Sequence, residues 1–380
     1  MSDRAYIATR KGLFSLSRTA AARWDLELIG FHGDPVSFVL ADPRNDRLYA
    51  ALNLGHFGAK LQCSEDHGKS WRECAVPVYP AAAKLQVDAT NDAANDATDS
   101  DAGDGASLQQ IWCLAHAGED HPERLWAGTI PGGLFRSDDA GESWQLNQAL
   151  WNVPERDLWF GGGYDDPGIH SICVDPRNSD HVAVAVSCGG LWITCDGGNR
   201  WSCETSGMYA NFMPPEQREE PAIQDPHCLV QCPSNPDVLW VQHHNGVFRS
   251  RDRARHWDDL SGNTAPLPFF GFAAAVHPSE PETAWLVPAV SDECRLPQDD
   301  QLVVVRTRDG GETFETLGEG LPHEHAYDLI YRHGLDVDSS GDRLLMGSTT
   351  GGLWISENQG DSWACVSAHL PPVYAVHFAP

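Results

Sequence analysis

One eight-residue pattern, Ser/Thr-x-Asp-x-Gly-x-x-aromatic, recurs along this chain and constrains its fold more than any other feature. Four copies are complete, at 64–71, 137–144, 194–201 and 307–314. Two carry one change each: Ala254 replaces the glycine at 250–257, and Asn358 replaces the aspartate at 356–363. A relic at 17–24 keeps Ser17 and Trp24 but lacks the acid and the glycine. The pattern has the chemistry of a tight hairpin turn, in which the Asp side chain accepts backbone N–H bonds, glycine supplies a positive φ and the aromatic ring packs between neighbouring sheets.

Upstream of most copies runs a Gly-apolar-aromatic strand, as at Gly133, Gly190, Gly246 and Gly352, and before it another strand such as 124–129. Earlier still lies a strand ending in Asp-Pro or its equivalent, as at 39–43, 172–176, 229–233 and 274–278. Each unit therefore has four strands. The starts fall at 17, 64, 137, 194, 250, 307 and 356, so seven units of similar length are present, and the one long interval holds an insertion. Seven four-stranded units predict an all-β, seven-bladed β-propeller, a single domain over residues 1–380. An open seam would expose unpaired edges, so the last strand, 373–380, is expected to pair with the first, 5–8, and close the ring.

Composition narrows the function classes. The insertion, 88–106, is built of Asp, Ala, Asn, Gly and Thr with a single Ser and no large apolar residue, and is expected to be a disordered acidic segment. The formal charge of −28 would repel phosphate backbones and anionic surfaces, which argues against nucleic acid as a partner. No apolar run is long enough to cross a bilayer, and residues 1–10 lack the apolar core of a secretory signal, so the expected location is the cytoplasm. Cys113, Cys173, Cys228 and Cys232 lie in apolar strand-like runs and no paired CxxC units occur, which predicts reduced, mostly buried cysteines.

The turns and blade pattern resemble the BNR/Asp-box repeat propellers, a superfamily that includes sialidases, xyloglucanase-type glycosidases, sortilin-like receptors and photosystem II assembly factors. The resemblance covers nearly the whole chain and is closest to bacterial sialidase-like or glycosyl hydrolase-like proteins. It implies the fold, whereas its members variously catalyse, bind or scaffold. Sialidase chemistry fits poorly, because the first strand is followed by Thr9-Arg10-Lys11-Gly12 rather than Arg-Ile-Pro and those propellers have six blades.

With the octapeptide turns on one face, the second-to-third loops and the blade crossovers share the other, and a site belongs there. Aligned on their final Pro, the first strands place Ser37, His170, His227 and Phe272 at one position, with Tyr327 and Tyr374 in the less regular units. Loops of the same face add Arg10, Asn53, His56, His243, His244 and His325. Imidazoles meeting near an axis can bind a divalent transition metal or act as acid and base near neutral pH. The expected function is a hydrolase-like cytoplasmic enzyme acting on a small molecule or sugar at the channel mouth. His170, His227 and His243 are the first candidates for metal ligands, with His56, His244 and His325 behind them. Asp225, Tyr327 and Asp328 would orient them, and Arg10 would hold an anionic substrate group. Two alternatives stand beside it. One is a carboxylate-based glycoside hydrolase using Asp165, Asp166, Asp225 or Asp328; the other is a non-catalytic scaffold whose face binds a protein partner. Trp159 and Tyr164, in the long crossover 151–169, either stack on a ligand or pack that crossover.

Overall fold

A computed structural model describes residues 1–81, 105–264 and 269–380. Its strands form seven four-stranded antiparallel sheets arranged as blades of one ring. Blades 2 to 6 begin with the inner strands Val36–Ala41, Gln110–His116, Ile169–Val174, Pro226–Gln231 and Gly271–Val276, and blade 7 with the short Leu335–Val337. Blade 1 is composite. Its innermost strand is the C-terminal Val373–Phe378, followed outward by Arg4–Thr9, Gly12–Arg18 and Trp24–Gly30. Ala5 pairs with Phe378 and Ala8 with Ala375, so the two ends of the chain close the ring as the sequence predicts. The acidic stretch at 88–106 lies, up to residue 104, outside the described residues.

Each octapeptide turn joins the third and fourth strands, and its hydrogen bonds explain the spacing. In the turn at 64–71, the Gly68 N–H donates to Ser64 Oγ at 2.8 Å and the Ser70 N–H to Asp66 Oδ1 at 2.8 Å. Asn358 serves as well as aspartate, because its amide oxygen accepts from the Ser362 N–H at 3.0 Å. The glycine position is left-handed, φ 88° at Gly68, and Ala254 takes φ 66° at its own copy. The residue before it is left-handed too, as at His67 and Gln359, a feature that the pattern does not reveal.

The turn aromatics pack against the preceding blade, and their burial differs. Trp257 is 1% exposed, sits among Met208, Leu239 and Phe248, and donates its indole N–H to the Glu204 carbonyl at 3.0 Å. Trp144 makes the matching bond to Ala75 at 3.0 Å but is only partly buried. Trp257→Ala should therefore cost ~3–5 kcal/mol, the range for an emptied aromatic core site, and Trp144→Ala clearly less. Urea unfolding of both variants checks the order; equal costs would contradict this account of the packing.

Candidate functional site

The inner strands carry the local feature that builds the site. In six blades the ladder of the inner strand slips by at least one residue: at Ser37, Trp112, His170, His227, Tyr374 and the pair Phe272 and Ala273. A bulge leaves its extra residue unpaired and re-aims the side chain, a device common beside binding sites. Five of these residues, Ser37, Trp112, His227, Phe272 and Tyr374, border one cavity of about 760 Å³.

Blade 7 has no such bulge. There the segment 331–334 leaves the ladder and crosses the channel: the Cys228 thiol points to the Arg332 carbonyl at 3.6 Å, His333 Nε2–H donates to the His170 carbonyl at 2.7 Å, and the Val376 N–H donates to the His333 carbonyl at 2.7 Å. Arg332 and His333 border the cavity and so form its floor. The site is thus a blind pocket rather than an open channel mouth.

On the blade 5 side, Asp225, His227 and His244 converge, with one ligand-capable atom of each within 4.8 Å of the other two. Asp225 Oδ2 lies 3.2 Å from His227 Nε2 and 3.5 Å from His244 Nδ1, while Asp225 Oδ1 accepts the Cys188 N–H at 3.0 Å. Cys188 reaches that oxygen from a left-handed backbone, φ 49°, a conformation that costs energy outside glycine. His227 Nδ1 lies 2.6 Å from the Gly271 carbonyl, which can only accept, so Nδ1 carries a proton and Nε2 is the atom that faces Asp225. On the far side of His244, Nε2 stands 3.6 Å from Asp292 Oδ2. The His227 ring also stacks on Phe272, centroids 4.5 Å apart.

Burial works to raise the Asp225 carboxyl, yet His227, His244 and Arg332 together outweigh it and hold it well below the usual carboxylate range. Burial likewise pushes His227 below its ordinary value, with Asp225 opposing. Asp225 is thus an anion beside His227, whose charged form is disfavoured by burial and favoured by that anion.

The other histidines expected as ligands are placed differently. His170 is fully buried; its Nε2–H donates to the Pro226 carbonyl at 2.8 Å and its Nδ1 accepts from Ser171 at 2.9 Å, so neither nitrogen is free. His243 is also fully buried, with the N–H groups of Asp225 and Asn245 directed at its two ring nitrogens at 3.0 and 3.1 Å. Neither borders the cavity, and the expected grouping of His170, His227 and His243 is replaced by Asp225, His227 and His244. His56 and His325 are exposed and stand outside the cavity wall. Tyr327 is 53% exposed and away from the cavity, because Tyr331, Arg332 and His333 rather than Tyr327 are the blade 7 residues that reach it. Asp328 anchors a turn by accepting from Ser348 and Thr350. Asp166 accepts from Gln109 at 2.6 Å, and neither it nor Asp165 borders the cavity. Arg10 does border it. Trp159 is core, packed on Trp192, while Tyr164 borders the cavity edge-on to Trp112.

No family model matches the chain. A probable oligoxyloglucan-reducing end-specific xyloglucanase of Neosartorya fischeri is 24% identical over 276 residues, 66% of this chain and 31% of that protein, so the chain spans about a third of that relative's length. Among solved structures, an ancestral GH74 enzyme matches with TM-score 0.59 and 18% identity over 87% of this chain and 38% of its own. The GH74 enzyme of Niastella koreensis matches with TM-score 0.60 and 15% identity over 96% and 52%. A third, YCF48 bound to a D1 peptide, matches with TM-score 0.51 and 13% identity over 87% and 81%. At these identities the likeness is one of fold, and it bears out the propeller.

Proposed function

We propose that this chain is a divalent-metal-dependent enzyme of hydrolytic type, acting on a small polar or sugar-derived molecule in the blind cavity, with Asp225, His227 and His244 as the ligands. The carrying observation is the convergence of His227 Nε2 and His244 Nδ1 on one carboxylate oxygen, Asp225 Oδ2, at 3.2 and 3.5 Å. With Nδ1 of His227 already protonated, a cation is what holds Nε2 against the carboxylate. Ligand atoms about 2.1 Å from a tetrahedral ion stand ~3.4 Å apart, which the separations of 3.2 and 3.5 Å approach. A proton could also lie there, but burial disfavours a charged His227.

The outer partners suit the same reading. The Gly271 carbonyl fixes the His227 tautomer, the Cys188 N–H fixes the carboxylate, and Asp292 faces the free side of His244. Such an ion, when bound, polarises a substrate oxygen and acidifies water. The cavity volume lies within the usual range for small-molecule sites. Arg10 at the rim would receive an anionic group of the substrate.

A glycoside hydrolase is the second reading, favoured by the xyloglucanase relative and by Asp225 and Asp292 flanking His244. It requires one carboxyl that stays protonated to serve as general acid, and Asp225 is held ionised instead. Elemental analysis of purified, untagged protein decides between them. About one equivalent of a transition metal is expected in the wild type and almost none in a His227→Ala/His244→Ala variant. Absence of metal even after incubation with zinc, manganese or iron(II) sinks the first reading, and xyloglucan-oligosaccharide hydrolysis by metal-free protein would establish the second.

A further inference from the structure

Two of the buried arginines elsewhere in this chain are matched with acid on two sides each, whereas Arg156 donates to the Gly132 carbonyl and lies against Trp151 and Trp159 with no acid. Arg306 holds Glu315 at 2.6 Å and Asp361 at 2.7 Å, and Arg343 holds Asp3 at 3.0 Å and Glu357 at 3.3 Å. Arg332, half-buried on the cavity floor, resembles Arg156 in having no acid at hydrogen-bond distance but, unlike it, borders the cavity. Its Cζ lies 4.8 Å from the Trp112 ring centroid and 5.3 Å from that of Phe272, its Nε is buried without a hydrogen-bond partner, and it forms no ion pair among the described residues. Contact with the two aromatic faces offsets only part of the cost of desolvating a guanidinium, which stays charged at any ordinary pH.

Two further arginines border the same cavity without a carboxylate partner among the described residues, Arg10 and Arg295. Arg295 donates its Nε–H to the Asp292 carbonyl at 3.0 Å, and its Cζ lies 5.4 Å from the Phe272 ring. In a chain of net charge −28, three arginines border this one cavity together with the carboxylates of Asp225 and Asp292, and none of the three holds a carboxylate at hydrogen-bond distance among the described residues. Phe272 links two of these arginines to the proposed ligands, since the same ring packs against Arg332, Arg295 and His227.

We propose that the cavity binds a small organic molecule through an oxyanion group, a carboxylate or a phosphate, and that Arg332 is the residue that recognises it. The guanidinium fork suits the two oxygens of such a group, and contact with Trp112 and Phe272 limits its movement before the ligand arrives. A group seated on Arg332 leaves the rest of the molecule beside Asp225, His227 and His244. The inference rests on this cavity being the catalytic pocket, and it needs no bound metal.

Calorimetric titration of the metal-free full chain tests it, using malonate, inorganic phosphate and malonamide, the neutral twin of malonate. At low salt, malonate or phosphate is expected to bind at least about tenfold more tightly than malonamide. Preference for malonate identifies a carboxylate, and preference for phosphate a phosphate ester. Arg332→Gln should abolish the preference. Arg332→Lys keeps the charge but loses the fork, and should weaken anion binding several-fold; it replaces the glutamine variant if that one does not fold. Equal binding of all three ligands by the wild type, or an unchanged preference in either variant, overturns the proposal. Because the protein is metal-free throughout, a failed metal assignment leaves this result readable.

Discussion

A chain that stops at Pro372 is expected to lose its cooperative fold. The missing strand, Val373–Phe378, contributes Val373, Val376 and Phe378 to the buried interface between blades 1 and 7, each 5% exposed or less. Full burial of such side chains contributes ~1.5–3 kcal/mol apiece, so the three together approach the ~5–15 kcal/mol that holds a whole domain. The loss does not stop there. Arg4–Thr9 would become an inner edge with its ladder unpaired, and the channel-crossing segment would lose the bond from the Val376 N–H to the His333 carbonyl. Urea unfolding followed by tryptophan fluorescence should show a broad transition or none, and a synthetic peptide of residues 373–380 should restore it by filling the gap. A truncated protein that unfolds as sharply and at the same midpoint as the full chain would show that strand closure is dispensable.

The sequence disclosed the ring because its signals are local. An eight-residue turn needs its hydroxyl, acid and left-handed position at fixed offsets, so repetition counts the blades directly. The inner-strand alignment worked for a related reason: the bulge stands at a constant distance from the Asp-Pro corner, and Ser37, His170, His227 and Phe272 follow from it. Trp112 was invisible because its strand ends at His116 and continues into Ala117 and Gly118 with no such corner. Arg332 was hidden because blade 7 abandons the strand pattern before Leu335, which made Tyr327 look equivalent. Which histidines turn toward the cavity depended on distances that no spacing encodes. His243 ends a strand with its ring inside the blade, while the next residue, His244, already belongs to the turn and faces Asp225.

Stability is expected to fall steeply between about pH 6.5 and pH 4, before most carboxylates titrate, because several histidines are folded in their neutral form. Burial lowers His243 to about 3 and His333 to about 4, and holds His170 well below its ordinary value. Geometry agrees with the direction at His243, whose ring nitrogens face backbone N–H groups; an imidazolium has no lone pair to offer them. In the unfolded chain the same groups protonate near pH 6.5, so below that value the unfolded state binds more protons and stability rises with pH. Each such histidine contributes a slope of up to roughly 1.4 kcal/mol per pH unit, so three of them can remove several kcal/mol by pH 4.5. Urea midpoints at pH 7, 5.5 and 4.5, with proton uptake on unfolding measured by calorimetry in two buffers, check both the slope and its origin. His243→Gln should flatten the dependence by one proton, since its amide nitrogen carries no titrating charge. A wild-type stability unchanged from pH 7 to 4.5 would mean that the interior accepts these protons, and the neutral assignment of His170, His243 and His333 would then fall together.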